Sequence, residues 1–153
     1  MAAYARIVVP VDFSDCSNEA LRQACDLARR FDSHLHLVHV VEPWPPATAV
    51  SGEFYPDYDT YAAEQYAEAK RALDALPPPE LGPKPVVRAL VEGHPADEIL
   101  NYAGVHAADL NVLGTHGRKG ISRWLMGSVA ERVVRHAPCP VLVVRSQKPA
   151  NAM

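Results

Sequence analysis

The residues most suited to chemistry in this chain are glycines spaced as in a phosphate-binding loop. Gly114 and Gly117 are separated by two residues, and Gly127-Ser128 follows after nine more. Glycines let the backbone approach a ligand closely, and the unpaired N–H groups at a helix start attract anions. The loop also carries three cations that would help to neutralise a polyphosphate, namely Arg118, Lys119 and Arg123. A glycine-rich loop with these cations, placed between a predicted strand and a predicted helix, therefore predicts a phosphate site.

The pattern is neither a Walker A loop, which requires Gly-Lys-Ser/Thr, nor the three close glycines of a dinucleotide fold. From the residues alone, a second interpretation stands beside phosphate binding, in which Gly114 ends a strand and Gly127 begins a helix. Ser128 with Glu131 fits a capping box, in which the serine hydroxyl caps the helix. A capped helix start still has N–H groups for a phosphate.

Other polar residues fall where a predicted strand ends. Asp12 follows an apolar run and either accepts hydrogen bonds from a ribose or organises the start of the next helix. His34 and His36 share one strand face and His39 lies on the other, so packing is favoured over a metal site. His116, inside the glycine loop, is in reach of a phosphate, but the sequence defines no catalytic triad.

Alternating strands and helices must position these residues. Strands are predicted over 6–11, 35–41, 85–91, 109–113 and 141–144, and helices over 58–76, 95–103 and 128–137. A further helix begins after the capping side chains at Ser14 to Ser17. Five strands with helical crossovers predict an open α/β sheet, mostly parallel and covered on both faces. Asp12 and the glycine loop then lie at the carboxyl edge, where such sheets bind ligands.

Composition excludes several classes of protein. A chain of 153 residues with 48% hydrophobic residues and a net charge of −3 is predicted to be one globular domain, not a nucleic-acid-binding protein. No apolar run approaches the roughly 18 residues of a membrane span, and no secretion signal is evident. Cys16, Cys25 and Cys139 show no metal or redox spacing, which indicates small hydrophobic roles in the cytoplasm. The domain is predicted over 1–146, with 147–153 as a flexible tail.

Taken together, the motifs resemble the universal stress protein family from Arg6 to Arg145. The resemblance is carried by Ile7 to Ser14, by His39-Val40, by Gly114 to Arg118, by Gly127 to Glu131 and by His136 to Val144. The nucleotide-binding branch of that family is marked by glycine, two residues, glycine, nine residues, glycine, and serine or threonine. This chain fits that spacing without a gap.

The resemblance implies a Rossmann-like sheet of order 3-2-1-4-5 that binds ATP, with Mg²⁺ on the phosphates. By position, the adenosine contacts are Pro10, Val11, Asp12 and Val40, while Leu113, Gly114 and Gly117 line the nucleotide. Arg118 joins the phosphate contacts, which are Gly127, Ser128, Val129 and Ala130. This chain departs from the family pattern at Ala130, where some members carry threonine, and at Trp124, where smaller aliphatic residues are usual.

The family also pairs through its last strand, so a homodimer through Val141, Leu142, Val143 and Val144 is expected. A short apolar edge strand favours such pairing, although the tail could cover it instead. The expected role is a nucleotide-dependent stress-response or signalling module, with at most slow ATP hydrolysis because no general base is evident. Two alternatives stay open: an interaction protein that binds no nucleotide, and an adenylyl-transferring or pyrophosphatase enzyme. The second lacks a histidine motif at Phe13 to Cys16.

Overall fold

The computed structural model describes residues 3–43, 58–78, 82, 85–116 and 126–146, and strands alternate with helices along them. In chain order the elements are β1 (Arg6–Pro10), α1 (Asp15–Phe31), β2 (His34–Val41), α2 (Tyr58–Asp74), β3 (Val86–Glu92), α3 (Pro95–Val105), β4 (Leu110–Gly114), α4 (Ser128–His136) and β5 (Val141–Val144). Every predicted strand is present, with bounds that differ from the prediction by at most one residue.

The five strands form one parallel sheet in the order β3-β2-β1-β4-β5, which confirms the predicted fold. β1 lies at the centre and pairs with β2 on one side and β4 on the other. The strand order therefore reverses between β1 and β4. Pro10 and Gly114 end these two strands, so the residues that follow them emerge side by side at the carboxyl edge of the sheet. A crevice at this switch point is where parallel sheets bind ligands.

Helices cover both faces of the sheet because the strand residues are apolar on both sides. Ile7, Val9, Leu35 and Leu37 face α1 and α2, whose buried residues include Ala24. The opposite face carries α3 and α4, and its packed residues are Val8, Val38 and Tyr102 in one cluster and Ile99, Leu113, Ala130 and Val133 in another. The sheet, and with it the carboxyl edge, is thus supported by packed side chains on both faces.

The three histidines of β2 divide between the faces as predicted. His36 is buried on the α3 face and shares a hydrogen bond of 2.9 Å between its Nδ1 and the Tyr102 hydroxyl. His39 lies on the other face against Phe13, with 4.6 Å between ring centroids. His34 is exposed. His36 and His39 therefore pack against Tyr102 and Phe13, as predicted, whereas His34 does not lie in the interior.

Candidate functional site

The start of α1 is fastened by side chains at the carboxyl end of β1. Ser14 is the N-cap residue of α1, and its Oγ accepts a hydrogen bond of 3.2 Å from the Ser17 N–H. Asp12 Oδ1 in turn accepts from the Ser14 N–H at 3.0 Å and from the Ser14 hydroxyl at 2.5 Å. The Asp12 N–H donates to Ser17 Oγ at 3.1 Å. Asp12 therefore organises this helix start, which was one of its two predicted roles.

The end of β4 packs directly against the first turn of α1. A Cβ atom built on Gly114 would lie 2.7 Å from the Cys16 Cβ and 2.8 Å from the Cys16 carbonyl carbon. Both distances are shorter than real Cβ contacts, so any side chain at Gly114 would push α1 away from the sheet. Gly114 was predicted to line a nucleotide, whereas the structure shows that helix packing already requires a glycine here.

The start of α4 is built differently from that of α1. Its N-cap residue is Gly127, with no side-chain hydrogen bond to the helix start. The capping-box interpretation of Ser128 was therefore wrong, because Ser128 is the first helical residue and its hydroxyl lies one position too late to cap. The Gly127 N–H donates to the Thr115 carbonyl at 2.7 Å, which holds the helix start against the end of β4. Its first backbone N–H groups thus lie near the end of β4, and the N-cap residue provides no side chain to cap them.

A small polar cluster lies between the two helix starts. Cys16 Sγ is 3.9 Å from Thr115 Oγ1, and Thr115 Oγ1 is 3.1 Å from His116 Nδ1. His116 Nε2 is buried and has no hydrogen-bond partner in the described structure. Burial opposes ionisation of the Cys16 thiol, but hydrogen bonds to Ser146 and to the backbone of His116 outweigh it and lower its pKa. The edge of the sheet is therefore suited to a polar ligand.

The other two cysteines have the opposite character. Burial raises the pKa of the Cys25 thiol to about 11. Burial also raises the pKa of Cys139, which lies beyond the C-terminal end of α4. Cys25 lies in the hydrophobic core, as predicted from the sequence, whereas Cys139 is only partly buried and accepts a hydrogen bond of 3.5 Å from Asn111 Nδ2. Cys16 differs from both, and its place in the first turn of α1 is a signal that the sequence already carries.

The structure brings together several residues predicted to bind a nucleotide. Leu113 and Ala130 are buried in one cluster, and the partly buried Val40 and Val129 pack against it. Their side chains face the core, so they can serve a ligand only through backbone groups. Pro10, Val11 and Asp12 lie beside them at the end of β1. Gly117 and Arg118, together with the loop residues Lys119, Arg123 and Trp124, lie outside the described residues, as do the predicted tail residues 147–153.

The arrangement offers hydrogen-bond donors for an anion and acceptors for hydroxyl groups. An α4 start without a side-chain cap supplies N–H donors and a partial positive charge, while Asp12 at the end of β1 carries carboxylate oxygens suited to hydroxyl groups.

Among the described residues, no helix has the length and apolar character needed to cross a membrane.

Comparison with known proteins agrees with this geometry. The model of the universal stress protein family matches residues 3–145. A universal stress protein of Methanocaldococcus jannaschii is 38% identical over 145 residues, which cover 95% of this chain and 84% of that protein. Universal stress protein UspA from Lactobacillus plantarum is 33% identical, with a TM-score of 0.76 over 93% of this chain and 98% of that one.

Two further solved structures contain nucleotides. A universal stress protein in complex with cAMP is 27% identical, with a TM-score of 0.62 over 94% of this chain and 98% of that one. The protein from Archaeoglobus fulgidus in complex with dAMP is 26% identical, with a TM-score of 0.57 over 94% and 99% of the two chains. These two proteins of the same fold thus bind adenine nucleotides.

Proposed function

The chain belongs to the universal stress protein family, and we propose that it binds an adenine nucleotide, ATP with Mg²⁺, at the carboxyl edge of its sheet. The observation that carries the proposal is the start of α4, where Gly127 leaves the helix without a side-chain cap at the switch point between β1 and β4. A polyphosphate is the ligand that such a start favours, because backbone N–H groups and the helix dipole both attract negative charge.

The adenosine moiety is assigned to the ends of β1 and β2. Pro10, Val11 and Asp12 follow one another at the end of β1, and Val40 lies near the end of the neighbouring strand. The Asp12 carboxylate accepts hydrogen bonds from ribose hydroxyls, as acidic residues at strand ends do in nucleotide folds. The backbone at Val40 contacts the adenine, since its side chain packs into the core.

The phosphates are assigned to the α4 side. The backbone N–H groups of Ser128, Val129 and Ala130 belong to the first turn of the helix, where intrahelical partners are lacking. Gly114 and Leu113 line the same edge, and Gly117 and Arg118 complete the phosphate contacts. Mg²⁺ binds chiefly to phosphate oxygens and water, as it does in many nucleotide sites, since the described residues contain no cluster of three ligands for it.

The role that follows is a stress-response or signalling module whose state depends on the bound nucleotide. Rapid hydrolysis is not part of the proposal, because it requires a base that orients the attacking water. The three free cysteines are typical of a reducing compartment such as the cytoplasm.

The test is the nucleotide content of the freshly purified protein, followed by calorimetric titration of emptied protein with ATP, ADP, dAMP and cAMP in the presence of Mg²⁺. Near-stoichiometric ATP in the denatured supernatant, or saturable binding that is tightest for ATP, would support the proposal. Tightest binding of cAMP or dAMP would assign the site to a monophosphate instead. No binding of any of the four would favour an interaction protein without a nucleotide.

We also propose that β5 forms a homodimer with its copy in a second chain. Val141, Leu142, Val143 and Val144 make up an apolar strand at the edge of the sheet, and 39% of the Leu142 side chain is exposed. A groove of about 490 Å³ runs along this strand, and its lining includes Glu19 and Gln23 of α1. An edge strand of this kind is stabilised by pairing with another strand.

Sedimentation velocity tests the dimer with a matched pair of variants. Leu142→Lys places a charge on β5 and should convert dimers to monomers. Val87→Lys changes a side chain of similar exposure, 40%, on the opposite edge strand β3, and should leave the dimer intact. A monomeric wild type, or equal loss of the dimer in both variants, would refute the assignment to β5.

A further inference from the structure

The turn that follows β1 is held from the neighbouring strand by His39. The Nδ1 atom of His39 lies 2.6 Å from the Val11 carbonyl oxygen. A carbonyl oxygen only accepts hydrogen bonds, so this imidazole nitrogen carries the proton and donates it. The Val11 N–H donates to the Val38 carbonyl at 2.8 Å, so both backbone groups of Val11 are tied to β2.

The same imidazole supports an unusual backbone conformation. Phe13 has a φ of +65°, in the left-handed region that bulky residues rarely adopt. Its ring packs on the His39 ring, with centroids 4.6 Å apart and planes inclined by 39°. A residue remains in such a conformation only when its surroundings hold it there. His39 supplies two of these constraints, one through Val11 and one through Phe13.

The two constraints act on both sides of Asp12. Val11 precedes Asp12 and Phe13 follows it, and Asp12 is itself hydrogen-bonded to Ser14 and Ser17 of the α1 start. The direction in which Asp12 leaves β1 therefore depends on contacts from β2 as well as from α1. His39 also directly precedes Val40 on β2, so one residue links the two strand ends that carry the adenosine contacts.

We propose that His39 is a positioning residue for the adenosine side of the nucleotide site. It acts through the Val11 carbonyl and the Phe13 ring, and the inference rests on the proposed function. By holding Val11 and Phe13 it sets the backbone on both sides of Asp12 before the ligand arrives, which lowers the entropic cost of binding. Its loss therefore weakens nucleotide affinity more than it destabilises the fold.

Variants of His39 separate the donor from the bulk of the ring. His39→Asn places an amide donor near the position of Nδ1, whereas His39→Leu fills a similar space without a donor. Calorimetric titration with ATP should show affinity weakened roughly tenfold in His39→Leu, the effect of one lost hydrogen bond. His39→Asn should stay within about threefold of wild type, as expected when the donor is kept. His34→Leu, on an exposed residue of the same strand, is the matched control and should bind like wild type.

The outcomes distinguish this inference from the proposed function. If wild type binds no nucleotide, both fail together. If wild type binds and His39→Leu binds equally well, only the role of His39 is refuted. Equal losses in the Leu and Asn variants would refute the donor role. Urea unfolding of each variant shows whether the fold is intact. If His39→Leu does not fold, His39→Gln replaces it, because its amide lies near the Nε2 position and misses the Val11 carbonyl.

Discussion

Two helices begin at the same edge of the sheet, and they begin differently. α1 starts at Ser14, whose hydroxyl oxygen accepts a hydrogen bond from the Ser17 N–H. α4 starts at Gly127, which offers no side-chain cap. The backbone of the two N-cap residues is nearly the same, with φ and ψ of −77° and 164° at Ser14 and of −62° and 155° at Gly127. The difference between the two starts therefore lies in side-chain chemistry and not in the path of the chain.

The difference indicates that the two helix starts have different roles. At α1 the protein satisfies its own N–H groups and uses the cap to orient Asp12. At α4 the N-cap residue provides no side chain for the first backbone N–H groups, so these groups can bind a ligand. A helix whose N-cap residue is glycine, as Gly127 is here, is less stable than one with a Ser, Thr, Asp or Asn cap by a few tenths of a kcal/mol. A bound phosphate would recover that free energy, so the uncapped start is a cost that ligand binding can offset.

The largest expected effect on ATP affinity comes from adding a capping side chain at the start of α4. Gly127→Asp would place a carboxylate where a phosphate is proposed, and its oxygens would cap the N–H groups that the phosphate needs. The added Cβ would also lie 3.1 Å from the Thr115 carbonyl oxygen. We expect affinity for ATP to fall about 100-fold or more, which corresponds to roughly 2.7 kcal/mol, measured by calorimetric titration.

Gly104→Asp is the control for that variant. Gly104 lies in α3, and a Cβ atom there would meet nothing within 4 Å. The same change of charge at Gly104 should leave ATP affinity unaltered. Wild-type affinity in a folded Gly127→Asp variant would remove α4 from the site.

The next largest effect, on the free energy of unfolding, is expected from removing the capping side chain at the start of α1. Ser14→Ala removes the cap on the Ser17 N–H and one of the two donors to Asp12 Oδ1. The free energy of unfolding should fall by about 1 kcal/mol, the usual value of an N-cap. Ser128→Ala is the matched substitution at the other helix, where Gly127 and not the serine is the N-cap residue, and it should change stability by less than about 0.5 kcal/mol. Urea denaturation measures both, and equal losses would contradict the difference between the two starts.

The fold was largely predictable because its signals are local and repeated. Short β-branched runs such as Arg6 to Val11 and Val141 to Val144 alternate with helical periodicity, and this pattern admits few topologies. The strand order itself came from the family resemblance, since periodicity does not say which strands are neighbours. The start of α1 was also predictable, because Ser14 and Ser17 are capping residues placed directly before an apolar helix face.

The sequence placed the candidate site residues at the carboxyl edge of the sheet, but it did not predict the contacts that these residues make. Ser128 with Glu131 has the form of a capping box, yet the helix begins one residue earlier, a shift within the usual uncertainty of helix ends. Gly114 carries a packing constraint from Cys16, which is 98 residues away in sequence and invisible to spacing. The role of His39 depends likewise on Val11 and Phe13 of a neighbouring strand end. Such contacts follow from the fold and are absent from any local pattern.

A smaller effect on stability is expected from lowering the pH, because the group that titrates, His36, lies away from both helix starts. His36 is the third residue of β2, and its pKa is lowered from 6.5 by burial and then by His106, His34 and Arg6. The unfolded chain therefore takes up a proton at His36 at a higher pH than the folded chain, so stability falls as the pH drops below about 7. Urea denaturation between about pH 7.5 and pH 5.5 should show this loss, and His36→Asn should reduce it. An identical pH dependence in the variant would exclude His36 as its source.

The smallest effect is expected in the alkylation rate of Cys16, whose thiol lies between the two helix starts. Cys16 belongs to the first turn of α1 and contacts Thr115 at the end of β4, and its lowered pKa favours the reactive thiolate. Iodoacetamide should therefore modify Cys16 before Cys139 and Cys25, whose pKa values burial raises. ATP bound at the α4 start should slow the reaction at Cys16, because phosphate charge disfavours the thiolate and restricts access to it.

Cys139 is the internal control for this reporter, since it lies beyond the far end of α4. Mass spectrometry of timed samples follows both cysteines in one reaction, so a change in protein stability would alter both rates. A rate at Cys16 that ATP leaves unchanged, in protein that calorimetry shows to be saturated, would place the phosphates away from the uncapped start of α4. The nucleotide would then be held by the capped side of the site alone, and the two helix starts would no longer differ in function.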